Sequence, residues 1–473
     1  DWWRKVVDLR PNNTEDALGL VRSALRVNDL ATAENTLGSF DDGAKQTAGY
    51  HAAAGRLAEM KKNPVAAEGH WARASEIAPE NTAYQFQLAL IRLGSNDPAK
   101  RESAQQTLER LRTDPKQRTS ATRTLIIDGV AHHAEVKRMQ LLASELQSYP
   151  EATLTDRLLY LEILRQLHDP GFDEYLKKLE QEVASHPAEL GSLLSWMSGN
   201  ETAAAGIEFS NSLPAESLGK WPVPPALAAL YSSLKDWPGL ERMTKKADWQ
   251  PYDFLRRAYL ARALRGQDQM FPSEQEWIAA QKEASAQPQS LLMLARTTAA
   301  WGWENETVDL LWILARSPET KLEALQTLYQ HYLKKGDTSG LYRTLIRLVE
   351  AAPNDFILQN NLAQVSLLLG VDLERARKIA TDLITKDPGN GSYISTYAFS
   401  LYTKGDVNGA LQALEKLTPE QLQDPSLSVY YGVVLAAAGQ KEKARELLRR
   451  ANEANLLPEE KALVAKAETT LKQ

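Results

Sequence analysis

The sequence predicts an all-α protein made of antiparallel helical hairpins that follow one another along the chain. Three observations predict this fold: a repeat of 34 residues, apolar residues three and four positions apart within it, and short polar breaks between helices. Ala33 and Ala67 are 34 residues apart, and Ala376, Ala410 and Ala444 keep the same interval. A fixed period of about 20 to 50 residues is the signature of stacked repeats. Apolar spacing of three and four marks an amphipathic helix.

Each repeat is predicted to hold two helices that pack against each other. Small residues such as Gly55 and Ala67 allow the two helices to approach closely, and Trp71 or Leu414 fills the space towards the next repeat. The breaks between the helices are short enough to force antiparallel neighbours; they are Asn28-Asp29, Lys62-Asn63-Pro64, Lys335-Gly336-Asp337, Lys404-Gly405-Asp406 and Gly439-Gln440. Prolines end the second helix; they are Pro79, Pro353 and Pro388.

The offsets of Gly55, Ala67, Trp71, Ala74 and Pro79 recur further along, as Tyr329, Leu341, Leu345, Leu348 and Pro353, and as Gln364, Ala376, Ala380, Leu383 and Pro388. With the 34-residue period and the Gly-Asp or Asn-Asp breaks, these residues resemble the tetratricopeptide repeat family over 14–80 and 320–455. The resemblance implies a right-handed α-solenoid, or superhelix, of about 13 hairpins. The charged segment from Pro458 to Leu471 is predicted to be a single helix that caps the C-terminal end.

Between residues 82 and 318 only the helical pattern continues. Hairpins are predicted near 82–115, 118–150, 154–187, 188–213, 223–247, 251–286 and 288–317. We therefore divide the chain into N-terminal hairpins at 1–117, a degenerate Trp-rich region at 118–317, and C-terminal repeats with the capping helix at 318–473, with a further soft boundary near 214–225.

Eight of the eleven tryptophans lie between 196 and 312. Large aromatic residues either fill gaps where uneven repeats pack together or form a platform that binds sugar or peptide. The general tendency of tryptophan to be buried favours the first interpretation.

Composition removes several classes of chemistry. The net charge is −6 and basic residues are dispersed among acidic ones, so we expect no nucleic-acid partner. The chain has no cysteine, which excludes disulfides, thiolate zinc sites and a cysteine nucleophile. His132 and His133, followed by Glu135, form the one superficial ligand cluster, but neighbours on a helix point about 100° apart. With no phosphate loop or nucleophile elbow either, we expect no catalytic activity, metal or small-molecule cofactor.

The chain begins at Asp1 rather than at methionine. We expect a signal peptide or membrane anchor upstream of Asp1 in a bacterial, membrane-associated protein, and favour an extracytoplasmic location over a cytoplasmic one. Trp2 and Trp3 would then lie at a membrane interface; the alternative is that both pack on the first hairpin.

In the tetratricopeptide repeat family, the first helix of each hairpin lines a concave groove. Carried over to this sequence, the resemblance implies a mostly apolar groove lined by Leu358, Asn361, Val365 and Leu368, by Ser395, Phe399 and Tyr402, and by Val429, Val433 and Ala436. Groove and core are equal alternatives for each residue. The basic clamp with which some members bind acidic chaperone tails is not expected, because Asn361 has no basic companions there.

We expect a non-catalytic interaction scaffold that binds a partner protein or peptide in this groove. One alternative is a structural component that self-associates in an envelope-associated assembly. A second is a helical accessory region of a cell-wall or glycan-acting enzyme, which rests on analogy of fold alone.

Overall fold

The computed structural model describes residues 2–10, 13–132 and 134–472. Within these residues every regular element is a helix and none is a strand, so the predicted all-α class is confirmed. The chain divides into two compact units, Asp1–Leu234 and Lys235–Gln473. The three-part division drawn from the sequence stays a prediction.

In the first unit the helices are α1 (Trp2–Leu9), α2 (Thr14–Arg26), α3 (Leu30–Gly38), α4 (Ala48–Met60), α5 (Pro64–Ile77), α6 (Thr82–Leu93), α7 (Pro98–Leu111), α8 (Arg118–Ala131), α9 (Val136–Gln147), α10 (Leu154–Gln166), α11 (Phe172–Val183), α12 (Pro187–Gly199), α13 (Ala203–Asn211), α14 (Ala215–Gly219) and α15 (Val223–Ser233). A 3₁₀ turn, Ala44–Gln46, precedes α4.

In the second unit the helices are α16 (Trp237–Lys246), α17 (Asp253–Gly266), α18 (Met270–Ala284), α19 (Pro288–Ala300), α20 (Glu304–Leu314), α21 (Lys321–Lys335), α22 (Thr338–Ala351), α23 (Phe356–Leu369), α24 (Leu373–Lys386), α25 (Gly391–Thr403), α26 (Val407–Leu414), α27 (Pro425–Ala437), α28 (Lys441–Ala451) and α29 (Pro458–Lys472). A 3₁₀ turn, Gln421–Gln423, precedes α27.

Consecutive helices pair as hairpins, and the hairpins repeat at the predicted interval. In the second unit α23 begins at Phe356, α25 at Gly391 and α27 at Pro425, which gives intervals of 35 and 34 residues. The small residues that carry the period are all buried, with 0% of Ala33, Ala67, Ala410 and Ala444 exposed and 1% of Ala376. The chain is an all-α solenoid of tetratricopeptide-like hairpins.

The two helices of the hairpin predicted at 223–247 have their main partners elsewhere. Helix α15 packs against α12 and α13 in the first unit, whereas α16 packs against α17 in the second. Each helix therefore has its main partner in its own unit rather than in the hairpin predicted at 223–247.

The turns within the hairpins explain the Gly-Asp breaks. Gly336 adopts φ +65°, a left-handed conformation that glycine reaches without steric cost. Asp337 follows and caps α22 by accepting a hydrogen bond from the Gly340 amide. Earlier turns use non-glycine residues at positive φ, including Asn28 and Lys62. The break therefore stops one helix and starts the next within two or three residues.

At the N-terminus the two tryptophans differ. A Cβ atom on Gly19 of α2 would lie 2.4 Å from the Trp3 ring, so Trp3 packs directly on α2. Trp2 is 66% exposed. No helix in the described parts of the chain is long and apolar enough to cross a membrane.

Candidate functional site

The predicted groove residues lie on α23, α25 and α27, the first helices of three consecutive hairpins in the second unit. Helix α25 contacts both α23 and α27. Phe399, Val429 and Val433 belong to one apolar cluster, and Leu368 and Tyr402 pack against it. The structure thus brings most of the predicted groove residues together, as the repeat phase requires.

Six of the ten predicted groove residues are buried. The exposed fractions are 6% for Val365, 3% for Ser395, 2% for Phe399, 0% for Val429, 3% for Val433 and 5% for Ala436. For these six side chains the structure shows core burial, which is one of the two alternatives that the sequence left open. Leu358, Asn361, Leu368 and Tyr402 remain partly exposed. That any of the ten contacts a partner stays a prediction.

The C-terminal helix α29 contributes to this burial. It packs against α27 and α28, as a capping helix would, and also contacts α23, two hairpins back along the chain. Its buried residues Val464, Ala467 and Leu471 belong to the same apolar cluster as Phe399, Val429 and Val433. Helix α29 therefore completes the apolar cluster that contains three of the predicted groove residues.

Hydrogen bonds hold the N-terminal end of α29 against α23 and α27. Tyr430 of α27 donates a hydrogen bond to Glu460 Oε1 at 2.5 Å, and Gln364 of α23 donates to Tyr430 Oη at 2.8 Å and to Glu460 Oε1 at 3.3 Å. The other carboxylate oxygen of Glu460 accepts from the Leu457 amide at 2.9 Å. Burial, together with the Glu460 charge, raises the pKa of Tyr430 well above its usual value. The phenol therefore stays protonated and serves as a donor.

Two further contacts connect the start of α29 to the α21–α22 turn. Glu459 accepts a hydrogen bond from the Thr338 hydroxyl. Pro458 lies against Gly336, 3.5 Å from where a Cβ atom would stand. The first turn of α29 thus reaches α22 and α23, which are consecutive helices, and also α27.

Sequence reasoning missed Gln364, Tyr430 and Glu460 as members of this site. A signal was present: Glu460, Val464, Ala467 and Leu471 are spaced four, three and four residues apart, which places them on one face of a helix. The many charges of the segment instead suggested a helix with polar faces that only seals the end of the array.

Most tryptophans of the Trp-rich region are buried or pack against other aromatic rings. Trp249 and Trp277 are buried, with 3% and 4% exposed, while Trp221 is 39% exposed. Ring centroids of Trp301 and Trp303 are 5.2 Å apart, and those of Trp277 and Trp303 are 5.8 Å apart. Most of these rings therefore contribute to packing, which is the interpretation that the burial tendency of tryptophan favoured.

In residues 2–10, 13–132 and 134–472, no group of three or more His, Asp or Glu side chains is placed to hold a metal ion. His132 contacts Asp128 and Arg101. His133, its neighbour in the sequence, lies outside the described residues.

No protein-family model matches the chain, and no curated protein is similar to it. Among solved structures, the chain is similar to the APC/C hetero-tetramer Cut9–Hcn1, at 13% identity over 98% of this chain and 92% of that chain, with a TM-score of 0.33. It is also similar to a tetratricopeptide repeat protein from Parabacteroides merdae, at 15% identity over 52% and 96% of the two chains and a TM-score of 0.28. A third similar structure is Naa15/Naa10 bound to HypK-THB, at 13% identity over 99% and 76% and a TM-score of 0.28. At these scores the likenesses carry no argument about function, and the repeat architecture rests on the hairpins themselves.

Proposed function

We propose that this chain is a non-catalytic scaffold that binds an amphipathic helix of a partner protein on α23, α25 and α27. Helix α29 contacts two of these three helices, α23 and α27. The single observation that carries the proposal is the packing of α29. Its apolar residues join the apolar cluster of this surface, and its Glu460 carboxylate accepts hydrogen bonds from Tyr430 and Gln364.

The chemistry of α29 defines the partner. A helix that lies in a groove is recognised by anchors at intervals of three and four residues. The partner segment should therefore carry small or medium apolar residues at the places of Val464, Ala467 and Leu471. It should also carry a carboxylate one turn earlier, at the place of Glu460, because Tyr430 and Gln364 offer donors there.

Competition with α29 sets the affinity that a partner can show. The local concentration of a tethered helix is in the millimolar range for short connections, so an untethered helix must bind much more tightly or α29 must first be released. Since α29 belongs to the chain, its release would remove Val464, Ala467 and Leu471 from the apolar cluster that holds Phe399, Val429 and Val433. The proposed scaffold is therefore closed by its own C-terminal helix until a better ligand displaces it.

A pair of variants tests the proposal in the native cell. Val464→Asp places a charge on the buried stripe of α29, whereas Ala465→Asp places the same charge on its exposed side. In each background, a photo-crosslinking phenylalanine derivative replaces the half-buried Tyr402. We expect the Val464→Asp chain to crosslink to a discrete protein through an amphipathic segment with the α29 spacing, and the Ala465→Asp chain to do so far less.

Two results would contradict the proposal. One is equal crosslinking of both variants to the same proteins, which would show that the captured surface does not lie beneath α29. The other is crosslinking through segments without helical apolar spacing. Circular dichroism of both variants confirms that the remaining helices are intact.

A further inference from the structure

A second feature of the second unit lies outside the groove, on α17 and the helices packed against it. Arg262 and Arg265 of α17 both stack on tryptophan rings that also contact one another. The Arg262 guanidinium carbon is 4.6 Å from the centroid of the Trp301 ring and 5.9 Å from that of Trp237. The Arg265 guanidinium carbon is 3.7 Å from the centroid of Trp303.

The aromatic rings around Arg262 are held in place by packing against their neighbours. Tyr259 is 4.9 Å from Trp301 and 5.9 Å from Trp249 between ring centroids, and each pair meets edge to face. Trp237 is held by close packing as well, because a Cβ atom on Gly266 of α17 would lie 2.4 Å from its ring. The walls around Arg262 are therefore set by packing and do not depend on a bound ligand.

The two arginines differ in one respect, which is charge compensation. Arg265 donates to Glu306 at 2.5 Å, and this carboxylate neutralises it. Among the described residues, Arg262 has no hydrogen-bond acceptor and no carboxylate partner, and its buried Nη1 is left without a bond. The two arginine–tryptophan stacks thus differ in charge compensation, although the buried Nε of Arg265 also lacks a hydrogen bond.

The lack of an anion is costly to the free protein. A guanidinium carries five N–H donors, and a tryptophan ring attracts the cation without accepting an N–H···O bond. A partly buried charge without a partner loses hydration that nothing replaces. Burial accordingly lowers the pKa of Arg262 to about 10. A group of this kind gains from any oxygen anion that can reach it.

We propose that Arg262, with Trp237 and Trp301 beside it, is a binding site for a carboxylate carried on an apolar group. The guanidinium fork matches the two oxygens of a carboxylate in one plane, and the indole rings offer apolar surface to the group that bears it. The site is independent of the groove beneath α29. A polypeptide carboxylate and a small organic acid present the same chemistry to it.

Calorimetric titration of the full chain tests the site. The probes are N-acetyl-leucine, its neutral amide and propionate, and the variants are Arg262→Gln, Arg262→Lys and Arg265→Gln. We expect the wild-type chain to bind N-acetyl-leucine at least about tenfold more tightly than the amide. Arg262→Gln should lose at least about tenfold of that affinity, and Arg262→Lys should be intermediate because it keeps the charge without the fork. Arg265→Gln should stay within about threefold of the wild type.

The relative affinities of the two acids identify the source of the carboxylate. Tighter binding of N-acetyl-leucine than of propionate favours a polypeptide source for the carboxylate, and equal binding favours a small acid; either result supports the site. Equal affinity of the wild type for the acid and its amide would overturn it. So would unchanged binding by Arg262→Gln, or no binding of either acid at about 10 mM. Thermal unfolding of each variant verifies that the chain is folded.

Discussion

Tyr430 of α27 donates a 2.5 Å hydrogen bond to Glu460 of α29, and both side chains are buried, with 2% and 7% exposed. The two residues belong to different parts of the repeat array: Tyr430 stands on the last complete hairpin and Glu460 on the helix that follows it. Because Gln364 of α23 donates to both, this bond connects α29 to the surface of two separate hairpins. We expect the packing of α29 on α23 and α27 to depend on this bond.

Removing either side of the Tyr430–Glu460 bond should destabilise the second unit. We expect Tyr430→Phe to lower the free energy of unfolding by about 1.5–3 kcal/mol, since a buried carboxylate loses its strongest donor. Glu460→Ala should cost a similar amount, and the double variant should cost less than the sum of the two. Urea unfolding of the wild type, the two single variants and the double variant, followed by circular dichroism, gives the four free energies of the double-mutant cycle. Strict additivity would mean that the two side chains do not interact.

The hairpins depend on close approach at their small residues. At Gly432 of α27 a Cβ atom would lie 2.8 Å from the Leu448 side chain and 3.2 Å from its backbone nitrogen in α28. Gly432→Ala should therefore lower stability by about 1–3 kcal/mol through overpacking. Gly69→Ala is the matched control, because no atom lies within 4 Å of that Cβ position in α5. It should raise stability by about 0.5–1 kcal/mol through helix propensity. Thermal melts that moved both variants in the same direction would contradict the packing described.

A histidine pair in the first unit makes stability depend on pH. His51 Nδ1 and His70 Nδ1 are 3.1 Å apart. Burial lowers the pKa of both rings below 6.5, and His70 and Arg73 lower that of His51 further. Below pH 6.5 the unfolded chain therefore binds more protons than the folded one. The contribution of the two neutral histidines to the free energy of unfolding is thus fully present above pH 6.5 and is lost as the pH falls.

We expect the free energy of unfolding to drop more between pH 7.5 and 5 in the wild type than in His70→Asn. Both rings are partly exposed, so the difference should stay below about 1 kcal/mol. Denaturant unfolding at both pH values measures it. The same drop in both proteins would mean that the histidine pair contributes nothing.

Arg262 and Arg265 should respond oppositely to loss of charge. Arg265→Gln leaves Glu306 part-buried without its partner and should cost about 1–2 kcal/mol. Arg262→Gln removes a cation that has no carboxylate and gives up its ring contacts, so we expect stability within about 0.5 kcal/mol of the wild type or above it. Chemical denaturation in a buffer free of organic acids compares them. A larger loss for Arg262→Gln would show that its charge is compensated within the fold.

Much of the fold could be predicted because the hairpins are specified locally. The spacing of Ala376, Ala410 and Ala444 fixed the repeat, and the break Lys335-Gly336-Asp337 corresponds to a left-handed glycine followed by a capping aspartate. In the irregular middle the helical pattern predicted hairpins near 188–213 and 288–317, and α12 begins at Pro187 and α19 at Pro288.

The site was less predictable because it depends on contacts between distant residues. Phe399 and Val433 have the periodicity of a groove position, and nothing local in the sequence shows that they are buried in one apolar cluster with residues of α29. Tyr430 and Gln364 are 66 residues apart, and their bond arises only when the hairpins stack. The packing of a C-terminal helix against earlier hairpins depends on tertiary contacts, which helix propensity does not predict.

Binding of the α29 segment in trans tests most directly whether α23, α25 and α27 form a helix-binding surface. A fluorescent peptide of residues 455–472 is titrated with the full wild-type chain and with Val464→Asp and Ala465→Asp, and its anisotropy is measured. We expect Val464→Asp to bind the peptide with a Kd of about 1–100 μM and the other two chains to bind at least about tenfold more weakly. A peptide that itself carries the Val464→Asp change should not bind. Equal binding by Val464→Asp and Ala465→Asp, or equal binding of both peptides, would contradict the helix-binding surface.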